Sequence, residues 1–131
     1  MVKMMAYDPT NIFAKILRGE IPNNTVYEDD TILAFHDIAP KTPVHVLVIP
    51  KGEYVDMDDF SAHASAEEVG SFFAKVGDIA RDLGVTQSGY RLVTNNGKNA
   101  GQLVPHFHVH IMGGQKIKEG SMARGMDAAS S

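Results

Sequence analysis

The sequence predicts an α+β domain with a mostly antiparallel five-stranded sheet, one short helix and one long helix. Three observations lead to this prediction. Five short segments have the composition of β-strands, in the order strand, strand, strand, helix, strand, strand, which favours hairpins over the alternating crossovers of a parallel sheet. One long segment, 65–84, has apolar residues at the period of a helix. The length of 131 residues suits one compact domain.

The first predicted element is a short helix near the N-terminus. A cap with an early proline, Asp8-Pro9-Thr10, precedes it, and Gly19 follows its last turn. Between them, four apolar residues recur at helical spacing, so one face of this helix is expected to be buried. These residues are Ile12, Phe13, Ile16 and Leu17.

Three strands are predicted next. Thr25 to Tyr27 and Thr31 to His36 form a predicted hairpin around a turn at residues 28–30. His45 to Ile49 is a β-branched apolar run that stops at Pro50. Such a run predicts a central strand that is covered on both faces.

The long helix has the clearest limits. It opens with the capping box Ser65-Ala66-Glu67-Glu68, and Gly84 follows its last apolar residue. Two more strands are predicted after it, Tyr90 to Thr94 and Phe107 to Met112, with a polar loop between them.

The chain divides into three parts. Residues 1–10 are expected to be an N-terminal extension, and residues 11–114 the folded domain. Residues 115–131 lose all periodicity and are expected to be a flexible C-terminal tail.

Composition limits the classes of function. Twelve Lys and Arg oppose 16 Asp and Glu, which gives a net charge of −4 without any basic run. Neither a nucleic acid nor a membrane is therefore expected as a partner. The chain has no Cys, which excludes disulfides and thiolate metal sites. Because no apolar stretch is long enough for a membrane span or a signal peptide, a cytoplasmic location is expected.

Three histidines, His106, His108 and His110, alternate with large apolar residues in the last strand segment. On a strand this spacing places all three imidazoles on one face, about 6.6 Å apart along the chain, so that two rings can contact one phosphate. A neutral imidazole attacks phosphorus when one ring nitrogen is held protonated and the other keeps its lone pair. The middle residue is best placed for this role.

Two alternative roles for the histidine row stay open. It can be a solvated polar face of the strand, or a metal site, since His-x-His on a strand is a familiar donor pair for zinc. No carboxylate stands close in sequence to complete a metal shell, and we expect no metal and no cofactor. His36 and His63 are expected to be surface or loop residues.

The chain resembles the histidine triad proteins, and in particular their Hint branch of nucleoside phosphoramidases. The resemblance covers residues 12–114 and includes the histidine row with the two glycines that follow it. The other matching segments are Ile12-Phe13-Ala14-Lys15-Ile16, Glu20-Ile21-Pro22, Glu28-Asp29-Asp30, Ala34-Phe35-His36-Asp37-Ile38, His45-Val46-Leu47-Val48-Ile49-Pro50-Lys51, Tyr90-Arg91-Leu92-Val93 and Gly101-Gln102.

The resemblance implies a division of roles among four histidines. His108 would form a covalent nucleotidyl intermediate, and His110 would contact the α-phosphate. His106 would support the site from the side of the leaving group, and His45 would be bonded behind the row.

The resemblance also implies a nucleotide site. Asp37 would bind the ribose hydroxyls, because a carboxylate accepts from two hydroxyls at once. The other residues assigned to the nucleotide are Phe13, Ile12, Ile16, Ile21 and Ile38 around the base, Asn95 and Gln102 at the phosphate, and Leu103 beside Gln102. Each has a structural alternative as well: Asp37 can cap the turn before Pro40, the apolar residues can be plain core, and Asn95 can be a turn residue.

Two features depart from the Hint pattern. Leu103 stands where Hint proteins usually carry a serine, so a hydroxyl that can assist the leaving nitrogen is missing. The segment after Gly114 contains no Trp and differs from the usual ending of that branch.

We expect, from the resemblance, a hydrolase of purine nucleoside phosphoramidates, in which AMP or GMP is linked through phosphorus to nitrogen. The alternatives are a dinucleoside polyphosphate hydrolase and a nucleotide-sensing interaction protein with incidental turnover. The resemblance also implies a homodimer, in which the long helix and the strand at residues 90–94 meet their copies to form one continuous sheet.

Overall fold

The computed structural model describes residues 6–118, which form three α-helices, five strands and one short 3-10 turn. In chain order these are α1 Ile12–Leu17, β1 Thr25–Glu28, β2 Ile32–His36, β3 Val44–Pro50, α2 Met57–His63, α3 Ala66–Asp82, β4 Tyr90–Val93, the 3-10 turn Lys98–Ala100 and β5 Val109–Gly113.

The strands form one antiparallel sheet in the order β1-β2-β3-β5-β4. β3 lies at the centre, and every residue in it after Val44 is buried. This burial explains why its sequence is continuously apolar instead of alternating. The predicted α+β fold with a five-stranded antiparallel sheet is confirmed.

The two faces of the sheet carry different layers. On one face, α2 and α3 enclose a core in which the rings of Phe60, Phe72 and Phe107 lie 4.7 to 5.3 Å apart, centroid to centroid. On the other face, α1 packs Phe13 against Phe35. The second layer is thinner and leaves room beside α1 for a site.

The sequence does not predict helix α2. Its seven residues, 57–63, have no repeated apolar period, and polar bonds hold it in place. The Asp56 carboxylate caps it by accepting from the Asp59 backbone N–H at 2.8 Å. The buried Asp59 carboxylate accepts from the Val55 N–H and from His63 Nδ1, both at 2.8 Å. Hydrophobic patterning cannot detect a helix that a buried carboxylate organises.

The caps of the other helices were predicted with mixed success. The cap of α1 expected at Asp8 is wrong: Asn11 caps this helix, and its Oδ1 accepts from the Ala14 N–H at 2.9 Å. Asp8 is three residues too early, and its carboxylate accepts from Thr10 instead. For α3 the predicted cap is confirmed, since the Ser65 hydroxyl accepts from the Glu68 N–H at 3.0 Å.

The last strand, β5, begins at Val109, later than the predicted start at Phe107. The Phe107 N–H donates to the Tyr54 carbonyl at 2.7 Å, so it bonds to the segment before α2. His106 and His108 therefore precede the strand, and His110 lies within it. The prediction that all three histidines lie in one regular strand is wrong.

Beyond β5, Ile117 packs against Val93 and Met112 on the sheet. The rest of the predicted tail, residues 119–131, and residues 1–5 of the predicted extension lie outside the described residues. The three-part division of the chain stays a prediction. Within residues 6–118, no helix is long and apolar enough to cross a membrane.

Truncation of the aromatic core is expected to destabilise the fold. Phe60 is fully buried and contacts three other aromatic rings, so Phe60→Ala should lower the free energy of unfolding by about 3 to 5 kcal/mol. Ile38→Ala is the matched control, because that side chain is 97% exposed, and its effect should stay within about 0.5 kcal/mol. Urea unfolding followed by circular dichroism measures both values. Equal effects of the two substitutions would contradict this assignment of the core.

Candidate active site

An apolar cavity of about 290 Å³ opens beside α1. Its volume is near the low end of the range for small-molecule sites, about 300 Å³. Ile38 and Ile12 lie on its rim and are 97% and 44% exposed, which leaves apolar surface open to a ligand. The cavity is lined by six of the predicted nucleotide-binding residues, Ile12, Phe13, Ile16, Ile21, Asp37 and Ile38, and by Pro22, Asn23, Phe35, His36, Ala39, Leu47 and Val104.

The histidine row lies against the inner wall of this cavity. The Phe13 ring, which lines the cavity, meets His108 edge to face at 5.0 Å and His106 at 6.4 Å between ring centroids. His108 and His110 lie 5.2 Å apart. All three imidazoles are at most 1% exposed, so the alternative of a solvated polar face is wrong.

The backbone sets the protonation of His108. Its Nδ1 lies 2.7 Å from the carbonyl oxygen of His106. A carbonyl can only accept, so Nδ1 carries the proton and Nε2 carries the lone pair in the neutral ring. The Thr94 hydroxyl donates to the carbonyl of His108 at 2.7 Å and fixes the backbone from the other side. This is the arrangement that a histidine nucleophile requires.

The protonation of His110 is set through His45. The Lys41 backbone N–H donates to His45 Nδ1 at 3.0 Å, so the proton of the neutral His45 ring lies on Nε2. That Nε2 lies 2.9 Å from Nδ1 of His110, which must accept. The proton of neutral His110 then lies on Nε2, an atom that is buried and lacks a hydrogen-bond partner among residues 6–118.

Burial keeps these two rings neutral. Burial, together with smaller effects of the neighbouring His108 and His45, lowers the pKa of His110 to about 3. Burial also lowers the pKa of His45, although the nearby Asp37 carboxylate opposes that change. The two imidazoles therefore act near pH 7 as neutral donors and acceptors, and not as cations.

Asn95 supplies a second buried donor. Its Nδ2 is buried without a partner among residues 6–118. Val93 pairs with His110 across β4 and β5, and Thr94 bonds to His108, so Asn95 follows the strand directly beside the histidine row. A buried donor without a partner costs about 1 to 3 kcal/mol, and such atoms are rare in folded proteins unless a ligand or a function requires them.

Asp37 has one oxygen in a turn and one near the histidines. Its Oδ1 accepts from the Ala39 N–H at 2.8 Å, so its structural role as a turn cap is present. Its Oδ2 lies 3.4 Å from His45 Nε2, and the residue also lines the cavity. Capping the turn does not prevent the carboxylate from meeting a ligand.

Gln102 and Leu103 differ from the other predicted residues. The Gln102 amide donates to the carbonyls of Val55 and Val104 at 2.9 and 3.0 Å, and its Oε1 accepts from the Gly97 N–H at 2.8 Å. These bonds make Gln102 a clamp for the loop at residues 95–104, and its contact with a phosphate stays a prediction. Leu103 is 65% exposed, and neither residue lines the cavity.

Asp37, His45 and His110 form a group that can be tested for metal binding. One donor atom from each of the three lies within 4.8 Å of the others. Two nitrogens bound to one tetrahedral zinc at about 2.0 to 2.1 Å would be about 3.3 Å apart. The 2.9 Å between His45 Nε2 and His110 Nδ1 is a hydrogen-bond length, so the group fits a shared proton better than an ion.

Several site residues were missed in the sequence. His36 is exposed at the end of β2, as expected for a surface residue, and it also lines the cavity together with Asn23. Its position directly before Asp37 was the available signal. No sequence signal identifies Thr94, whose role depends on pairing across the sheet. His63, the other histidine expected at the surface, ends α2 and bonds to Asp59.

Comparison with known proteins gives consistent matches. The model of the HIT domain family matches residues 18–117. A HIT-like protein of Azospirillum brasilense is 54% identical over 111 residues, or 85% of this chain and 91% of the relative. The purine nucleoside phosphoramidase of Escherichia coli K12 is 40% identical over 106 residues, 81% of this chain and 88% of the relative. A HIT family hydrolase of Legionella pneumophila is 37% identical, with a TM-score of 0.79 over 85% of this chain and 98% of that one.

Fold and site together define a protein with a row of buried imidazoles packed beside an apolar cavity on one face of an antiparallel sheet. The chain belongs to the HIT domain family, whose solved members include HIT family hydrolases.

The low pKa of His110 predicts a loss of stability in acid. The unfolded chain binds a proton at this ring below about pH 6.5, whereas the folded protein cannot until about pH 3. The free energy of unfolding should therefore fall between these values, by about 1.4 kcal/mol per pH unit from this ring. His110→Gln removes this contribution. Between pH 6.5 and 4.5, the free energy of unfolding of this variant should therefore change less steeply with pH than that of wild type, by about that amount. Urea unfolding at several pH values measures both slopes, and equal slopes would contradict the prediction.

Proposed function

We propose that the protein is a hydrolase of purine nucleoside phosphoramidates and that the reaction passes through a nucleotide bound covalently to His108. The observation that supports this proposal most strongly is a pair of buried side-chain nitrogens that have hydrogen atoms to donate. Nδ2 of Asn95 and Nε2 of His110 are donors without a partner among residues 6–118. They belong to two of the residues that the resemblance to the histidine triad proteins assigns to the phosphate.

Two such donors suit a phosphoryl group. Each can donate to one non-bridging oxygen, and the charge that develops on these oxygens during attack strengthens both bonds. The rings of His108 and His110 lie 5.2 Å apart between centroids. One phosphoryl group can therefore lie within reach of the lone pair on His108 Nε2 and of the His110 ring. The dry surroundings increase the electrostatic effect of each donor.

The proposed reaction has two steps. In the first, Nε2 of His108 attacks phosphorus, an N–P bond forms to the ring, and the bond from phosphorus to the substrate nitrogen breaks. The amine leaves after taking up one proton from water. In the second, a water molecule attacks phosphorus, the bond to His108 breaks, and the nucleoside monophosphate is released with the loss of one proton. The backbone bond from His108 Nδ1 persists throughout and stabilises the charged ring after attack.

The substrate class is inferred from the cavity and from one relative. The cavity wall is mostly apolar, and the ring of Phe13 and the side chains of Ile12 and Ile38 suit the faces of an aromatic base. Asp37 lies where a carboxylate can accept from ribose hydroxyls. The purine preference and the P–N bond come from the similarity to the purine nucleoside phosphoramidase of Escherichia coli.

We further propose that the protein works as a homodimer in the cytoplasm. β4 is an edge strand of the sheet, and Leu92 on it is 44% exposed. Pairing of β4 with its copy would extend the sheet and cover this residue. Sedimentation at micromolar concentration tests the dimer, and a monomer there would contradict it.

Removal of His108 is expected to abolish turnover. His108→Ala should lower kcat by about 10³-fold or more on an adenosine phosphoramidate, because the attacking atom is lost. His63→Ala is the control, since that histidine bonds to Asp59 in the layer of α2. The assay is release of AMP, with thermal unfolding of each variant measured alongside. Equal rates for wild type and His108→Ala would rule out this nucleophile.

The covalent intermediate is tested by the mass of the intact protein after brief incubation and a quench without acid. Wild type and His63→Ala should both carry an added AMP, and His108→Ala should carry none. An AMP adduct on His108→Ala would place the nucleophile elsewhere.

Turnover of dinucleoside polyphosphates in preference to phosphoramidates would replace the proposed substrate class. Tight binding of AMP without turnover of either would favour a nucleotide sensor.

A further inference from the structure

Tyr7 lies before residues 18–117, which match the model of the HIT domain family, and its side chain reaches the histidine row. The Tyr7 hydroxyl lies 2.6 Å from His106 Nδ1, and the two rings meet edge to face with centroids 5.5 Å apart. We propose that Tyr7 is a positioning residue, which acts through His106 to hold His108 in the orientation needed for attack. This proposal rests on the proposed function of His108.

The direction of the Tyr7 bond follows from the other side of the His106 ring. His106 Nε2 lies 2.8 Å from the carbonyl oxygen of Pro50, at the end of β3, so Nε2 must donate. Nδ1 of the neutral ring then carries a lone pair and accepts from the Tyr7 hydroxyl. Burial raises the pKa of Tyr7, which keeps the phenol protonated and able to donate at neutral pH.

The segment that carries Tyr7 is itself fixed to α1. Nδ2 of Asn11 donates to the Asp8 carbonyl at 2.7 Å, and Arg18 at the end of α1 donates to the Pro9 carbonyl at 2.9 Å. Oδ1 of the same Asn11 caps α1. The phenol is therefore presented to the histidines from an ordered support, which is a requirement for a positioning role.

The effect reaches His108 through the backbone of His106. That residue is fully buried, and the two ends of its ring are held by Tyr7 and by Pro50. A fixed ring fixes the carbonyl of the same residue, and this carbonyl accepts from Nδ1 of His108. Loss of the Tyr7 hydroxyl would free one end of the ring, so that both His106 and the carbonyl that orients the nucleophile gain freedom.

The predicted kinetic signature separates this role from substrate binding. Tyr7 is not among the residues that line the nucleoside cavity, so it should contribute to kcat and hardly to KM. Tyr7→Phe keeps the ring and removes only the hydroxyl. Tyr27→Phe is the matched control, because the Tyr27 hydroxyl also donates a 2.6 Å hydrogen bond, to the carboxylate of Asp29 just after β1.

The experiment compares wild type, Tyr7→Phe and Tyr27→Phe on an adenosine phosphoramidate, with thermal unfolding of each measured in parallel. Loss of one hydrogen bond that orients the nucleophile should lower kcat about fivefold to tenfold in Tyr7→Phe, with KM within twofold of wild type. Tyr27→Phe should keep both constants. A kcat of Tyr7→Phe within twofold of wild type, or an increase in KM alone, overturns the proposal.

A second readout needs no substrate. In protein labelled with ¹⁵N-histidine, long-range proton–nitrogen NMR should show one tautomer for His106 and a slowly exchanging Nδ1 proton on His108 in wild type and Tyr27→Phe. In Tyr7→Phe, His106 should become a mixture of tautomers, and the His108 proton should exchange faster. Spectra that do not change overturn the positioning role even if kcat falls. If Tyr7→Phe shows these spectral changes but the wild-type protein has no activity on the phosphoramidate, the proposed function alone is overturned.

Discussion

The structure depends on one constraint: it buries several imidazoles, and each ring needs hydrogen-bond partners that determine which of its two nitrogens carries the proton. A buried imidazolium is costly, so these rings must be neutral, and each neutral ring then has one donor nitrogen and one acceptor nitrogen. The main chain makes the assignment in each case. The carbonyl of Pro50 accepts a hydrogen bond from Nε2 of His106, and the carbonyl of His106 accepts one from Nδ1 of His108. The Lys41 backbone N–H donates to Nδ1 of His45, so that Nε2 of His45 donates to His110. Side-chain chemistry is thus fixed by backbone geometry.

The fold supplies these backbone groups at the right places. β3 is the central strand and contributes both His45 and the Pro50 carbonyl, from its two ends. β5 pairs with β3 and carries His110, while the two residues His106 and His108 come from the irregular stretch just before it. That irregular stretch lets the His106 carbonyl turn toward the ring of His108, which a regular ladder would not allow, because there the carbonyls bond to neighbouring strands. The departure from a regular strand is therefore part of the site.

The sheet and the long helix could be predicted because each has a local cause: the apolar run before Pro50, and the capping box at Ser65 with the apolar period after it. Helix α2 could not, since a buried Asp59 holds it and no apolar pattern marks it. The same distinction applies to the site. The spacing of the histidine row was visible in the sequence, but Thr94 and Tyr7 act through contacts across the fold. Residues 94 and 108, for example, meet only because β4 lies beside β5.

The central claim is that the backbone makes His108 Nε2 the nitrogen with the lone pair and His110 Nε2 a donor. A joint X-ray and neutron structure of the deuterium-exchanged protein near pH 7 tests this most directly, because it locates each exchangeable proton. Deuterium is expected on Nδ1 of His108 and on Nε2 of His45, His106 and His110, with one deuterium on each ring. Deuterium on Nε2 of His108, or on both nitrogens of His110, would contradict the account.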